Sequence, residues 1–111
     1  MEGYTDIAQS VMLTKILPIK SADMRYAPFG DIHPWVSNVD LIEKDAVPCW
    51  SIAALLDQLI CPRLEKHISG KWDCIAFTDN TLREVVKAVD CLSAVHACVE
   101  VIVKLKEKDL I

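Results

Sequence analysis

Cysteine and histidine are the side chains of this sequence best suited to chemistry. The chain has five cysteines and three histidines. A thiolate acts as a nucleophile when a neighbouring base takes its proton, and the same two residue types bind zinc. Cys49 or Cys74 could pair with His33 or His67 to form a ligand-binding or hydrolytic site. Nothing in the sequence brings any of these side chains together, and so many cysteines and histidines make chance pairings easy.

The spacing of the cysteines argues against a metal site or a disulfide framework. They stand at Cys49, Cys61, Cys74, Cys91 and Cys98. None of them forms the C-x-x-C pair that zinc knuckles and thioredoxin-like sites use. His96 and Cys98 come nearest to a ligand pair, but on a helix they would point in different directions. We therefore predict no metal ion and no cofactor, and we leave the redox state of the thiols open.

Signatures of other enzymes are also missing from the sequence. Three widely separated glycines cannot form a phosphate-binding loop, and neither G-x-S-x-G nor H-E-x-x-H occurs. The acidic residues of the central segment are typical of solvated surface charge; they are Asp31, Asp40, Glu43 and Asp45. The sequence assigns no catalytic residue and favours a protein without enzymatic activity.

Length, composition and charge narrow the class of protein further. The chain has 111 residues, is 52% hydrophobic and 25% charged, and is predicted to form one domain over residues 1–111. Its net charge of −4 argues against nucleic-acid binding, which depends on neutralising phosphates. The N-terminus lacks the pattern of a signal peptide, and the longest apolar stretch, residues 95–105, is too short to span a bilayer. We predict a cytoplasmic protein with no membrane partner.

Three helices are predicted, near residues 6–17, 51–60 and 93–107. Asp6 and Gln9 form a capping box at the start of the first helix. Apolar residues cover more than one face of that helix, so it should be largely covered by the rest of the domain. In the third helix, Glu100 is spaced to pair with Lys104. The apolar stripes of the second and third helices predict a core of Ile52, Leu55, Leu56, Leu59, Val95, Cys98, Val99 and Ile102.

The segment from about residue 21 to residue 48 shows no sustained period and is predicted to be irregular. Its aromatic residues either fold back onto the core as a lid or form a binding surface. Tyrosine and tryptophan favour the second role because they are rigid and amphipathic. The predicted partner-binding residues are Tyr26, Phe29, His33 and Trp35.

Strands are predicted in the second half of the chain. Residues 63–69 and 71–77 alternate in polarity around Ser69 and Gly70, which is typical of a hairpin. Residues 81–90 are ambiguous. Thr81 and Glu84 fit a capping box before residues with helical spacing, but the β-branched valines suit a third strand.

Three blocks of the chain, residues 5–24, 48–56 and 97–107, resemble a family of small uncharacterised proteins encoded by gut anaerobic bacteria and their prophages. The blocks include Thr5-Asp6-Ile7-Ala8-Gln9-Ser10, Pro48-Cys49-Trp50-Ser51-Ile52 and Ala97-Cys98-Val99-Glu100-Val101. In that family an Asp-Asn-Pro helix start usually precedes the last block, where this chain has Leu92-Ser93-Ala94. The resemblance implies a final helix that begins near Ser93, which leaves residues 82–89 free to form a strand. It implies no activity and no residue roles.

Together these features predict an α+β fold, with three helices on one face of a small antiparallel meander. The alternative is a mostly helical protein with one hairpin and a long C-terminal helix. The predicted function is a non-enzymatic protein-interaction or accessory role, in a phage-related protein whose partner is another protein or a second copy of itself. The alternative function is a small-ligand-binding or hydrolytic module that uses cysteine and histidine.

Overall fold

The computed structural model describes residues 3–26 and 47–111 in full, and the backbone of residues 32–34. It confirms the α+β fold. The helices are α1 (Ile7–Leu13), α2 (Ile52–Asp57) and α3 (Ala94–Glu107), with a 3-10 turn at Ile19–Ser21. The strands are β1 (Met24–Tyr26), β2 (Ile32–Pro34), β3 (Val47–Cys49), β4 (Ile60–Lys66), β5 (Trp72–Phe77) and β6 (Val85–Cys91).

The predicted meander is present as an antiparallel sheet in the order β4-β5-β6. Gly70, at φ +90°, allows the tight connection between β4 and β5, in which the His67 amide donates to the Lys71 carbonyl. The ambiguous residues 81–90 contribute β6 rather than a helix. Thr81 does not begin a capping box, because its amide donates to the Asp79 side chain in a turn.

A second sheet, in the order β2-β1-β3, lies within the segment that we predicted to be irregular. Both neighbours of β1 run antiparallel to it, so that Arg25 lies opposite His33 on one side and Pro48 on the other. The prediction was wrong here because each strand has only three residues, too few for an alternating pattern to show. Pairing between distant segments, rather than local periodicity, forms this sheet.

Helix α1 is shorter and more exposed than the sequence predicts. Its capping box is confirmed, with Gln9 N donating to Asp6 Oδ1 at 2.7 Å and Asp6 N donating to Gln9 Oε1 at 3.0 Å. The helix buries Ser10 and Leu13, yet it leaves 52% of Ile7, 45% of Val11 and 37% of Met12 exposed. The expectation that the helix is largely covered is therefore not met within the part of the chain that the structure describes.

Helix α2 ends at Asp57, three residues before the predicted end. Ser51 caps it, its hydroxyl accepting from the Ala54 amide at 3.2 Å. The chain then enters β4, where Ile60 pairs with Phe77. Pro62 lies within β4, next to an irregularity at which Cys61 adopts φ +46°. Sheet pairing therefore ends the helix earlier than its hydrophobic period indicates.

Helix α3 packs against β5, β6 and α2 and contributes much of the core. Of the predicted core residues, Ile52 and Leu56 are only partly buried and lie at the edge of the core. The others are buried. The predicted pairing of Glu100 with Lys104 is wrong, because Lys104 Nζ donates to the Lys87 carbonyl at 2.8 Å. Among the described residues, no helix has both the length and the apolar character needed to cross a membrane.

Candidate functional site

The Cys–His pairs considered from the sequence do not form among the described side chains. His67 Nε2 lies 2.8 Å from Asp73 Oδ2. Cys74 is buried and hydrogen-bonded to the thiol of Cys98. The buried Cys49 thiol donates to the Thr5 carbonyl at 3.3 Å. His67 is therefore committed to a carboxylate, and both candidate nucleophiles are enclosed by other groups.

The predicted partner-binding residues are only partly described. Tyr26 is 8% exposed, and its hydroxyl donates to the Thr5 carbonyl at 2.6 Å, so its ring belongs to the interior. His33 lies in β2, where only the backbone is described. Phe29 and Trp35 lie outside the described residues. The binding surface predicted for this segment therefore stays a prediction.

A different set of side chains converges where β6 leads into α3. Cys91 is the last residue of β6, and the connection to the helix contains only Leu92 and the N-cap Ser93. His96 and Glu100 stand one helical turn apart and therefore share one face of α3. This short connection brings the end of the strand beside the first two turns of the helix.

The donor atoms of these three residues lie close together. His96 Nε2 is 3.1 Å from Glu100 Oε1, and Cys91 Sγ is 3.9 Å from Glu100 Oε2. All three residues place a donor atom within 4.8 Å of the other two. Cys91 is 5% exposed, whereas the side chains of His96 and Glu100 are half-exposed. The cluster therefore has a buried thiol side and a solvent-facing side.

Burial and the nearby carboxylates both favour the protonated form of the Cys91 thiol. Burial raises the pKa of Cys91, and the carboxylates of Glu100 and Asp73 raise it further, while Lys104 has a smaller opposing effect. A catalytic cysteine needs the opposite environment, since the thiolate is its reactive form. The environment of Cys91 therefore does not favour the reactive thiolate. The cluster does present one sulfur, one imidazole nitrogen and a carboxylate, which are the donor types that zinc takes.

His96 and Glu100 also face a groove between α1 and α3. This groove has a volume of about 420 Å³, and its lining includes Gln9 and Met12 from α1 and Val99 and Val103 from α3. An adjoining cavity of about 460 Å³ extends from His96 towards the start of α1. The cluster is thus open to solvent on the side that faces α1.

A second group of potential ligands, formed by His67, Asp73 and Asp90, lies at the surface of the meander. Asp73 is already engaged with both of the other residues. Asp73 accepts from the Asp90 amide at 2.9 Å and pairs with His67. These contacts lower the pKa of Asp73, with the Asp90 amide as the largest cause, and the carboxylate of Asp73 raises the pKa of His67.

The cluster of Cys91, His96 and Glu100 was missed because the sequence search sought cysteine pairs and named motifs. The available signal was weaker. It was a cysteine at the end of a strand, the N-cap Ser93, and then His96 and Glu100 at i, i+4 spacing. That signal depends on residues 85–91 being a strand, and periodicity had left this open.

Comparisons of the chain with protein families, with curated proteins and with solved structures find no match. The function is therefore inferred from the positions and exposure of the described residues.

Proposed function

We propose that this is a non-enzymatic interaction protein that associates with a second copy of itself through helix α1. The observation that carries the proposal is the outward face of α1, which is apolar over both of its turns and consists of Ile7, Ala8, Val11 and Met12. A surface helix normally directs polar residues outward and apolar residues towards the core. Here Leu13 faces the core, and apolar side chains also face solvent.

A second copy is the partner that this surface fits best. A two-fold interface places the same patch on both subunits, so the patch must be complementary to itself. An apolar face without charge meets that condition, whereas a charged face would repel its copy. Asp6 and the exposed Lys15 stand at opposite ends of the helix. Antiparallel packing of two α1 helices would place each Asp6 near the Lys15 of the other copy.

The size of the surface sets the expected strength of the association. Stable interfaces bury about 800 Å² on each partner. A seven-residue helix supplies only part of that area, even with the adjoining groove, so we expect a weak dimer whose population rises with protein concentration.

The test is the mass of the protein in solution over a wide concentration range, measured by sedimentation velocity. Ile7→Glu combined with Val11→Glu should shift the wild-type dimer towards monomer, because four carboxylates would then meet across the interface. The matched control is Ile68→Glu combined with Val89→Glu, which makes the same charge change at two exposed residues of the meander. The control should associate like the wild type.

A wild-type protein that stays monomeric at every concentration would refute the proposal. Equal dissociation of both double variants would also refute it, since the effect would then come from net charge and not from α1. Circular dichroism establishes that each variant is folded. If the α1 double variant unfolds, Met12→Glu alone provides the same comparison at a residue on the edge of the face.

A cytoplasmic location and a relationship to the gut bacterial and prophage family are further parts of this proposal. They rest on the composition and net charge of the chain and on the three resembling blocks described above. Whether the segment containing Phe29 and Trp35 adds to the contact surface is a separate prediction.

A further inference from the structure

We propose that Cys91, His96 and Glu100 form a binding site for a divalent transition-metal ion of the zinc class. The site would use Cys91 Sγ, an imidazole nitrogen of His96 and a carboxylate oxygen of Glu100. It uses none of the residues of the apolar face, although His96 and Glu100 border the same groove as Met12.

The spacing of the donor atoms matches the requirements of such an ion. Zinc binds sulfur at about 2.3 Å and nitrogen or oxygen at about 2.0–2.2 Å, so tetrahedral ligand atoms stand about 3.3–3.8 Å apart. The Glu100 oxygens lie 3.1 Å from His96 Nε2 and 3.9 Å from Cys91 Sγ. The third separation is at most 4.8 Å. Small rotations of both half-exposed side chains, His96 and Glu100, would be needed to bring the three separations into this range.

The kinds of donor select the class of metal. Calcium and magnesium take oxygen ligands almost exclusively, whereas sulfur and imidazole favour zinc and its neighbours in the transition series. The exposed cluster of His67, Asp73 and Asp90 has no sulfur donor. The cluster at Cys91 is therefore the better zinc site among the described residues.

The surroundings of the cluster leave it short of positive charge. Lys104, one turn beyond Glu100, directs its ammonium group to the Lys87 carbonyl instead. Glu100 is hydrogen-bonded to the thiol of Cys91 and to His96, so the three donor groups already face one another. On binding, the Cys91 thiol would release its proton to solvent, and Sγ would use the freed electron pair to bind the metal.

Three protein ligands leave one position of a tetrahedral ion open. The exposed sides of His96 and Glu100 direct that position towards the groove between α1 and α3. Water would fill it in the isolated protein. This open position would accept an anionic or sulfur-containing ligand.

Cobalt(II) is the probe for the test, because a thiolate bound to it gives a charge-transfer absorption in the near ultraviolet. Reduced protein, stripped of metal with a chelator, is titrated with cobalt and then with zinc. The wild type should bind one cobalt ion per chain with this absorption and should lose it when zinc displaces cobalt. Zinc should also raise the temperature of unfolding, because it binds the folded state more tightly than the unfolded state.

Variants assign the ligands. Cys91→Ser should remove the thiolate absorption, and His96→Gln and Glu100→Gln should each weaken binding by more than about tenfold, since even outer-shell changes cost tenfold or more. Cys61→Ser removes the exposed cysteine and His67→Gln disrupts the other cluster, so both should bind cobalt like the wild type. Should Cys91→Ser fail to fold, the two α3 variants still decide the question, because their side chains are half-exposed.

Either of two results would overturn the proposal. One is the absence of a thiolate–cobalt absorption in the wild type. The other is an absorption that survives in Cys91→Ser and disappears in Cys61→Ser, which would assign the binding to an exposed thiol. The sedimentation experiment on α1 is read independently, so failure of the metal site and failure of self-association can be distinguished.

Discussion

The hydroxyl of Tyr26 donates a hydrogen bond to the carbonyl of Thr5 at 2.6 Å and thereby ties β1 to the segment that precedes α1. Thr5 is fully buried and lies within a polar network. Its hydroxyl is 2.7 Å from Ser10 Oγ and accepts from the Trp50 amide at 3.1 Å. Each of these groups has a partner, as buried polar groups require. The network joins three parts of the chain that are distant in sequence.

Removing the Tyr26 hydroxyl should therefore destabilise the protein. Tyr26→Phe keeps the ring but takes one donor from the Thr5 carbonyl, which still accepts from Cys49 Sγ. We expect a loss of about 1 kcal/mol in the free energy of unfolding. Tyr4→Phe, at a half-buried tyrosine, is the matched control and should have a smaller effect. Chemical denaturation of both variants makes the comparison, and equal losses would contradict the role given to Tyr26.

Two adjacent leucines of α2 should differ in their contribution to stability. Leu55 is fully buried, whereas Leu56 is only partly buried at the edge of the core. Leu55→Ala should cost about 2–5 kcal/mol, because it removes buried apolar surface and leaves a cavity. Leu56→Ala should cost clearly less. A larger loss for Leu56→Ala, measured by denaturant unfolding, would mean that α2 is rotated from the orientation described.

The pair formed by His67 and Asp73 should make stability depend on pH. The pKa of His67 lies above its ordinary value of 6.5, so its stabilising effect is present below that value and is lost as pH rises through the raised pKa. The pKa of Asp73 lies below its ordinary value of 3.8, so its effect is present above that value and is lost as pH falls through the lowered pKa.

Two measurements check this pair. In a pH titration followed by NMR, His67 should titrate above 6.5 in the wild type, and Asp73→Asn should lower its pKa. The difference in unfolding midpoint between the wild type and His67→Gln should shrink as pH rises past the raised pKa. A difference that stays constant across that range would show that the imidazole stabilises the protein through packing alone.

The aromatic residues Phe29 and Trp35, outside the described residues, remain predicted members of a binding surface. Replacing both with serine should leave the protein folded while lowering its mass in solution or its capture of a partner. Circular dichroism and sedimentation distinguish this outcome from the alternative. A variant that unfolds, with association unchanged wherever it stays folded, would assign the two rings to the core.

Elements that depend on contacts between near neighbours in the chain could be predicted from the sequence. The capping box of Asp6 and Gln9 and the turn at Gly70 each depend on contacts within a few residues, and each forms as predicted. The hydrophobic period of α3 likewise identified four of its eight buried residues. Such features arise wherever the residues occur, because the interacting groups are neighbours along the chain.

The remaining features could not be predicted from local patterns, because they depend on contacts between segments that are far apart in the sequence. Strands of three residues, such as β1 and β3, carry too little pattern to be recognised and form because partners are available for their backbone groups. Residues 85–91 had helical spacing, yet pairing with β5 made them a strand. That pairing also placed Cys91 beside His96 and Glu100. The exposure of α1 was decided in the same way, because periodicity identifies apolar faces but not the surface that covers each one.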